Sequence, residues 1–324
     1  MGGTRVTQLA AATRPAVAER WRAIDPLLPE PGEATTSCGA DLAVTSADGH
    51  VAASGLCRHV HLKPGSLELA WGAAHQFALT PYVAGPDVGE SLGRLLKRWR
   101  AHLVRQQGAA DEDSEAMVRW PSRDVEGVRA LLEHGLRPLT VIAARSPGRA
   151  DARASAGPGP ASLRIRAAEP GDLDALDRLG MAMMRYDAHF GSVTVRPDTA
   201  SRLRESAARA LEAPRPWIWL AERDGEAVGM VQAEPPEAAG WIAPLVRAQP
   251  AAYLGEMSVL PGARGTGVGT ALVRHLHREL DAAGAAVTLL HHAQLNPLSA
   301  PFWSRMGYRP LWTSWEIRPA SEAI

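Results

Sequence analysis

Lysine is nearly absent from this chain of 324 residues, because Lys63 and Lys97 are its only two, and arginine supplies almost all of the positive charge. Lys plus Arg and Asp plus Glu number 35 each, which gives a formal net charge of zero. This balance excludes the strong basic bias typical of proteins that bind nucleic acid or an anionic membrane. Arginine together with abundant alanine, glycine and proline indicates a bacterial genome rich in GC.

Cysteine is also scarce. Cys38 and Cys57 have neither the spacing of zinc ligands nor the number that a disulfide framework needs. His59 and His61 share a strand face but have no further ligand nearby in sequence, so we expect no metal site. There is no apolar run of about eighteen residues, and the N-terminal MGGTRV lacks the apolar core of a signal peptide. We therefore expect a cytoplasmic protein with no membrane partner.

The length suits two domains of moderate size. Residues 146–161 are rich in serine, glycine, alanine and proline, which favours an interdomain linker over a long internal loop. We predict one domain over 1–145 and a second over 162–324. Alternation in the first half predicts a hairpin over 41–62 and a strand over 66–71, among other elements.

Helical and strand periodicity alternate in the second half. The pattern predicts an α/β fold in which strands and helices follow one another in this order: strand 163–167, helix 169–186, helix 197–211, hairpin 217–234, a proline-rich segment 235–250, a strand, helix 268–283, strand 286–291, helix 297–305 and strand 311–318.

The stretch from Tyr253 to Leu272 is the most informative part of the chain. An apolar strand is followed by Arg264-Gly265-Thr266-Gly267-Val268-Gly269 and then by a helix. Backbone N–H groups at a helix N-terminus have no intrahelical partner and lie at the positive end of the helix dipole. Glycine lets a ligand approach the backbone closely, and an arginine adds a fork suited to phosphate oxygens. This pattern predicts a phosphate site.

Two separate motifs carry a resemblance to the GCN5-related N-acetyltransferase (GNAT) superfamily. Arg264, Gly267 and Gly269 match the family's pyrophosphate signature. About thirty residues later, a pattern that runs from an asparagine through an aromatic residue to a glycine-aromatic pair is matched by Asn296, Phe302, Gly307 and Tyr308.

The resemblance implies a mixed, mostly antiparallel sheet flanked by helices, in two tandem copies, with acetyl-CoA as the cofactor. It implies that two parallel strands splay apart and that the backbone of Met257 and Val259 holds the pantetheine arm, with the Val259 N–H as an oxyanion donor. The cofactor-binding residues expected from the resemblance are Met257, Ser258, Val259, Arg264, Gly265, Thr266, Gly267, Val268, Gly269, Thr270, Asn296, Phe302 and Trp303.

Glu256 is our first candidate for the catalytic base, because a carboxyl group buried in an apolar strand has a raised pKa. Strict alternation places Glu256 and Tyr253 on opposite faces, and a bulge in the strand would change this. Tyr253 and the pair His291-His292 are the alternatives. The family's usual tyrosine acid falls at Trp303, which cannot donate a proton at neutral pH.

Tyr186 and His189 are our candidates for binding the substrate, since aromatic, acidic and imidazole groups gather where the first helix of the second half ends. Trp312 and Trp315 either line the same site or pack in a core. The proline-rich segment that contains Trp241 forms either a lid or an interface.

The two halves also resemble each other. LLEHGLRPL around Gly135 parallels FWSRMGYRPL around Gly307, and VGESL parallels VGTAL further upstream. In this alignment Ala84 and Asp87 replace Arg264 and Gly267, and a carboxylate would repel a pyrophosphate. We predict that residues 1–145 are a degenerate copy without acetyl-CoA.

The function expected from these observations is acetyl transfer from acetyl-CoA to the primary amine of a small molecule, by direct transfer in a ternary complex. The alternatives are a protein or peptide N-acetyltransferase and a regulatory or scaffold protein that binds acyl-CoA without turnover. Both a monomer and a homodimer are compatible with the sequence.

Overall fold

The computed structural model describes residues 3–32, 41–148 and 163–322. The predicted linker falls almost entirely outside the described residues. The chain divides into two compact units, of which unit 1 comprises Met1–Val141 and Pro310–Ile324 and unit 2 comprises Ile142–Arg309. The last strand of the chain thus belongs to unit 1, although the rest of the second half belongs to unit 2.

Unit 1 is a mixed sheet between helices. Its elements are α1 (Gly3–Ile24), β1 (Asp41–Thr45), β2 (Val51–His61), β3 (His75–Val83), α2 (Val88–Leu103), β4 (Ser114–Pro121), α3 (Val125–Glu133), the first part of β5 (Arg137–Arg145), and later β11 (Arg309–Ile317). The sheet order β1-β2-β3-β4-β11 is antiparallel except for the parallel pair β3–β4.

The helices of unit 1 cover opposite faces of this sheet. Leu92, Leu95, Leu96 and Trp99 recur at helical spacing on α2 and are buried in the main core. Tyr82 instead packs against Val17 of α1. The main core includes Trp315 of β11, and the ring of Trp312 lies edge-on to Trp21. Both tryptophans of β11 therefore pack within unit 1.

Residues 66–71 do not form the predicted strand. Leu67–Ala70 is a short 3₁₀ helix, closed by bonds from Leu69 N to Ser66 O and from Trp71 N to Glu68 O. The alternating leucines suggested a strand, but the segment between the turn at Gly65 and the buried Gly72 is too short to pair with a neighbour.

The strands of unit 2 also pair in both parallel and antiparallel directions. Its elements after β5 are β6 (Leu163–Ala167), α4 (Leu173–Ala188), α5 (Thr199–Leu211), β7 (Ile218–Arg223), β8 (Glu226–Glu234), β9 (Ala251–Val259), α6 (Val268–Ala282), β10 (Val287–Ala293) and α7 (Ser299–Arg305). The order β6-β7-β8-β9-β10 is antiparallel except for the parallel pair β9–β10.

Neighbouring residues on β8 show which helices cover which face of this sheet. A Cβ atom on Gly229 would lie 3.1 Å from Leu272 and Val268 of α6, whereas Met230 faces Gly180 of α4. Because successive residues of a strand point to opposite faces, α6 covers one face and α4 the other. Helix α5 packs beside α4.

The same element order occurs in both halves of the chain. The order β3–α2–β4–α3–β5 in the first half matches β9–α6–β10–α7–β11 in the second, and in each half the first two strands of the series pair in parallel. No helix among the described residues is long and apolar enough to cross a membrane.

Candidate functional site

The parallel strands β9 and β10 separate within their length. Their pairing runs from Ala251–Val287 to Leu254–Leu290, whereas β9 continues to Val259 and β10 to Ala293. Beyond Leu254, the side of β9 that faced β10 is left without that partner strand. An unpaired strand edge can hydrogen-bond an extended ligand through its main chain.

The backbone direction of β9 identifies the groups on this open edge. Leu260 N donates to Val228 O on β8 at 2.9 Å. Because successive N–H groups of a strand point to opposite edges, the N–H groups of Val259 and Met257 point away from β8. These are the two residues whose main chain the resemblance assigns to the pantetheine arm.

A bulge at Gly255 accompanies the separation of the strands. Gln232 pairs with Glu256, but the next residue of β8, Ala233, pairs with Leu254, so Gly255 is an extra residue on β9. Glu234 pairs with Tyr253. Since residues 232 and 234 face the same side of the sheet, the bulge brings Tyr253 and Glu256 onto one face, where strict alternation would separate them.

The glycine-rich loop has the conformation that a phosphate site needs. Gly265 and Gly267 have φ values of 73° and 89°, in the left-handed region where other residues are strained. Gly267 is the N-cap of α6, so the first N–H groups of that helix point outward beside the loop. The main chain over residues 264–270 thus forms the cradle that the sequence predicts.

Arg264 lies beside this loop and contacts α4. Its Nε donates to Val259 O at 3.0 Å, and its guanidinium carbon lies 4.7 Å from the ring centroid of Tyr186. Tyr186, a substrate candidate, therefore lies against a residue of the predicted phosphate site. His189, the other substrate candidate, is exposed, and its ring centroid lies 6.5 Å from that of Tyr186.

Arg223 is a functional candidate that the sequence analysis missed. It ends β7, and its Nη2 donates to Thr266 Oγ1 at 2.8 Å, while that hydroxyl donates to Ala263 O at 2.7 Å. A second arginine therefore lies at the glycine-rich loop. No local pattern marks it, because it is 43 residues from Thr266 along the chain.

Replacing Arg223 by glutamine is expected to weaken acetyl-CoA binding about two- to fivefold, since an exposed ion pair contributes up to about 1 kcal/mol. The difference should shrink as salt is added. Calorimetric titration at two ionic strengths measures it. Arg164→Gln is the matched control, because Arg164 is an exposed arginine on the adjacent strand that pairs with Glu222. An equal loss in both variants would contradict a local role.

Asn296 is buried and joins α4 to the turn before α7. Its Nδ2 donates to Asp187 Oδ1 at 2.9 Å, and its Oδ1 accepts from Leu298 N at 3.0 Å. Burial raises the pKa of Asp187. The asparagine thus orders the turn before α7, but it does not cap the helix, whose N-cap is Leu298.

The aromatic residues in and just after α7 have different surroundings: Phe302 faces α6, whereas Trp303 and Tyr308 are buried. Phe302 faces the first turn of α6, since a Cβ on Gly269 would lie 3.5 Å from Phe302 and 2.7 Å from Met257. Trp303 is only 7% exposed and packs on Phe302 and Tyr308. The Tyr308 hydroxyl is buried and bonds to His277 Nε2 at 3.1 Å, so this tyrosine belongs to the core.

Glu256 lies in a cleft between helices α4 and α5 and strands β8 and β9. The cleft is narrow, with a cavity volume of about 20 Å³, room for about one water molecule. Burial raises the pKa of Glu256 to about 7. A Cβ added to Gly180 would lie 3.9 Å from Glu256 Oε2, so α4 passes directly over the carboxyl group. Its lining residues are Leu176, Asp177, Gly180, Leu203, Ser206, Ala207, Met230, Gln232 and Glu256.

Tyr253 is engaged in an aromatic cluster on the same face of the sheet. Its hydroxyl and His291 Nδ1 are 3.0 Å apart, and its ring lies edge-on to Trp241 at 4.8 Å. Trp241 Nε1 donates to Glu234 Oε2 at 2.6 Å. Burial and the nearby carboxylates raise the pKa of Tyr253, so its hydroxyl stays protonated at neutral pH. His292 is buried, and its Nδ1 lies 3.1 Å from Ala293 O.

The corresponding helix start in unit 1 is different. Asp87 is the N-cap of α2, as Gly267 is of α6, and its carboxylate accepts from Glu90 N at 2.8 Å. An N–H group that a phosphate would need is therefore already bonded to a negatively charged side chain. This is the arrangement expected of a copy that no longer binds a phosphate.

A protein-family model matches the part of the chain that contains this site. Residues 183–308 match the model of the acetyltransferase (GNAT) family. This range contains the separated strands, the loop, Glu256 and Asn296. Among curated proteins, none matches the sequence at a significant level.

Solved structures with a similar fold extend over nearly the whole chain. A GCN5-related N-acetyltransferase from Sphaerobacter thermophilus is 17% identical, with a TM-score of 0.58 over 96% of this chain and 92% of its own. One from Kribbella flavida is 14% identical, with a TM-score of 0.44 over 94% of both chains. A tandem GNAT protein from the clavulanic acid biosynthesis pathway is 13% identical, with a TM-score of 0.46 over 96% and 95%. At such identities the first match shows a shared fold.

Proposed function

Because residues 183–308 form an acetyltransferase domain of the GNAT family, we propose that this chain moves an acetyl group from acetyl-CoA to the primary amine of a small molecule. The observation that carries this proposal is the position of Glu256. Its carboxyl group has a pKa raised to about 7, and it lies in a narrow cleft on the strand that separates from its neighbour.

The described residues fit the proposed cofactor. The N–H groups of Met257 and Val259 on the open edge would bond the pantetheine arm, and the loop from Arg264 to Thr270 would hold the pyrophosphate. The positive φ values of Gly265 and Gly267 support this assignment, because they turn the main chain into a cradle without Cβ atoms. Phe302 lies beside the first turn of α6 and would cover the arm.

Glu256 would remove the proton from the substrate ammonium group. A base is most effective when its pKa lies near the working pH, and burial places Glu256 there. When bound, acetyl-CoA supplies a thioester whose carbonyl carbon the neutral amine attacks, with coenzyme A as the leaving group. The Val259 N–H points to the open edge and would stabilise the oxygen as negative charge develops on it.

Tyr253 would act as a hydrogen-bond donor rather than as a base. A tyrosine can accept a proton only after it has lost its own, and the raised pKa of Tyr253 opposes that loss. Trp303 is buried and has no acidic proton to give at neutral pH. Tyr308 is held in the core by His277. Water would therefore protonate the leaving thiolate.

We further propose that residues 1–145 are a degenerate copy that binds no acetyl-CoA and that residues 162–324 carry the catalytic site. The carboxylate of Asp87 at the start of α2 supports this division. We place the reaction in the cytoplasm.

The test combines calorimetry with a turnover assay. Acetyl-CoA is titrated into the full chain, and coenzyme A release is then followed with a panel of primary amines. One binding site and amine-dependent release would support the proposal. Binding without any acetylated product would contradict an enzyme and favour a regulatory acyl-CoA-binding protein, and a lack of binding would contradict both.

A further inference from the structure

The guanidinium group of Arg264 is held in place by two contacts. Its Nε donates a hydrogen bond to Val259 O at 3.0 Å, and its central carbon lies 4.7 Å from the ring centroid of Tyr186. A cation over the face of an aromatic ring is attracted by the negative charge of that face. Arg264 itself is exposed, so without these contacts its long side chain would sample many rotamers.

The hydrogen bond to Val259 leaves most of the arginine fork for a ligand. It engages Nε, whereas the N–H groups of the two terminal nitrogens take no part in it. Two N–H groups of an arginine can bond two oxygens of a phosphate in parallel. An arginine that is already fixed beside the glycine-rich loop loses less conformational freedom when a phosphate binds there.

Tyr186 reaches Arg264 from the last turn of α4. Its ring lies edge-on to that of Phe190 at 5.3 Å, a contact that limits how the ring can turn. Tyr186 is six residues beyond Gly180, about 9 Å along the helix, and it is not one of the residues that line the cleft at Glu256. The ring therefore lies on the cofactor side of the site and not on the side of the catalytic base.

The residue after Tyr186 adds a negative charge close to Arg264. Burial raises the pKa of Asp187, and the hydrogen bond from Asn296 and the positive charge of Arg264 oppose that rise. Asn296 Nδ2 donates to Asp187 Oδ1 at 2.9 Å. The end of α4 thus interacts both with the arginine of the loop and with the turn before α7.

We propose that Tyr186 is a positioning residue for the cofactor and that it acts by holding the Arg264 guanidinium beside the pyrophosphate site. The inference rests on the proposed binding of acetyl-CoA. It gives a role on the cofactor side to a ring that the sequence analysis assigned to the substrate. Tyr186 acts through Arg264 and takes no part in the proton transfer.

The first test removes the ring of Tyr186. Tyr186→Leu should weaken acetyl-CoA binding about two- to fivefold, the range expected for an exposed cation–π contact. Tyr186→Phe keeps a ring face and should bind within about 1.5-fold of the wild-type chain. Calorimetric titration of acetyl-CoA into the full chain measures both. His189→Leu is the matched control and should bind as the wild-type chain does, because His189 is an exposed ring at the end of the same helix.

A double-mutant cycle with Arg264→Met tests whether Tyr186 acts through the arginine. If it does, Tyr186→Leu should change the affinity of the Arg264→Met chain by less than about 1.5-fold. The same factor in both backgrounds would overturn the proposal, because the ring would then act independently of Arg264. No loss in Tyr186→Leu, or an equal loss in Tyr186→Phe or His189→Leu, would also overturn it.

Turnover separates this inference from the proposed function. Tyr186→Leu should raise KM for acetyl-CoA and leave kcat within about twofold, since the ring affects binding and not the chemical step. Acetyl-CoA binding that depends on Tyr186, without any acetylated product, would support the positioning role and contradict acetyl transfer. Acetylation of an amine with an unchanged acetyl-CoA affinity in Tyr186→Leu would support acetyl transfer and contradict the positioning role.

Discussion

Glu256→Gln is expected to lower kcat/KM for amine acetylation about 100- to 10,000-fold, the usual contribution of a general base. Glutamine has nearly the same shape but cannot accept the proton. Because burial raises the pKa of Glu256 to about 7, kcat/KM of the wild-type chain should rise with pH through that value and level off above it. The variant should lose this step. Steady-state rates from pH 5.5 to 9 measure both effects.

A control on the same sheet face separates chemistry from structure. Glu234→Gln removes a carboxylate that pairs opposite Tyr253 and lies outside the cleft lining. It should retain the pH step and most of the activity. Retention of more than about a third of the wild-type rate by Glu256→Gln, with the step intact, would assign the base to another residue.

Glu256→Gln should lower the activity of the chain but raise its free energy of unfolding at neutral and higher pH. A raised pKa means that the folded chain binds the Glu256 proton more tightly than the unfolded chain does. The resulting stabilisation is present below the ordinary value of 4.5 and is lost as pH rises through about 7. Above that pH, Glu256→Gln should be more stable than the wild-type chain by up to about 3 kcal/mol. Urea unfolding at pH 5 and pH 8 measures the difference.

Gly267→Asp is expected to abolish acetyl-CoA binding. The φ of 89° at Gly267 is unfavourable for other residues, and a carboxylate at the start of α6 would repel the pyrophosphate. Aspartate is a favoured N-cap residue, as Asp87 is for α2, but Asp87 has a φ of −97°, so the loop before α6 should change its backbone conformation in the variant. Calorimetry should show one site in the wild-type chain and an affinity at least about 100-fold weaker in the variant.

Gly267→Asn separates backbone strain from charge. Asparagine tolerates a positive φ better than most residues and is uncharged. Binding should fall about tenfold in this variant, less than in Gly267→Asp. Two acetyl-CoA sites in the wild-type chain, or one site that survives in Gly267→Asp, would contradict the proposal that unit 1 is a degenerate copy.

Local features of the site could be predicted from the sequence. The turn at Gly265 and Gly267 and the start of α6 depend on residues close together in the chain. The match of residues 183–308 to the GNAT family confirms the resemblance read from the two motifs. Where the expected pattern was short and weak, as over 66–71, the prediction was wrong.

Local residue patterns indicated the two motifs within the segment that matches the GNAT family model, and the glycine-rich loop, because backbone conformation over a few residues follows from the residues themselves. Which side chains share the cleft depends on tertiary packing. The bulge that brings Tyr253 and Glu256 to one face arises from pairing with β8, and Asp177 reaches the same cleft through the packing of α4. Likewise, Arg223 donates a hydrogen bond to Thr266, which is 43 residues away in the sequence, and β11 pairs with β4 of unit 1. Such contacts depend on register and packing between distant segments, which local residue patterns do not encode.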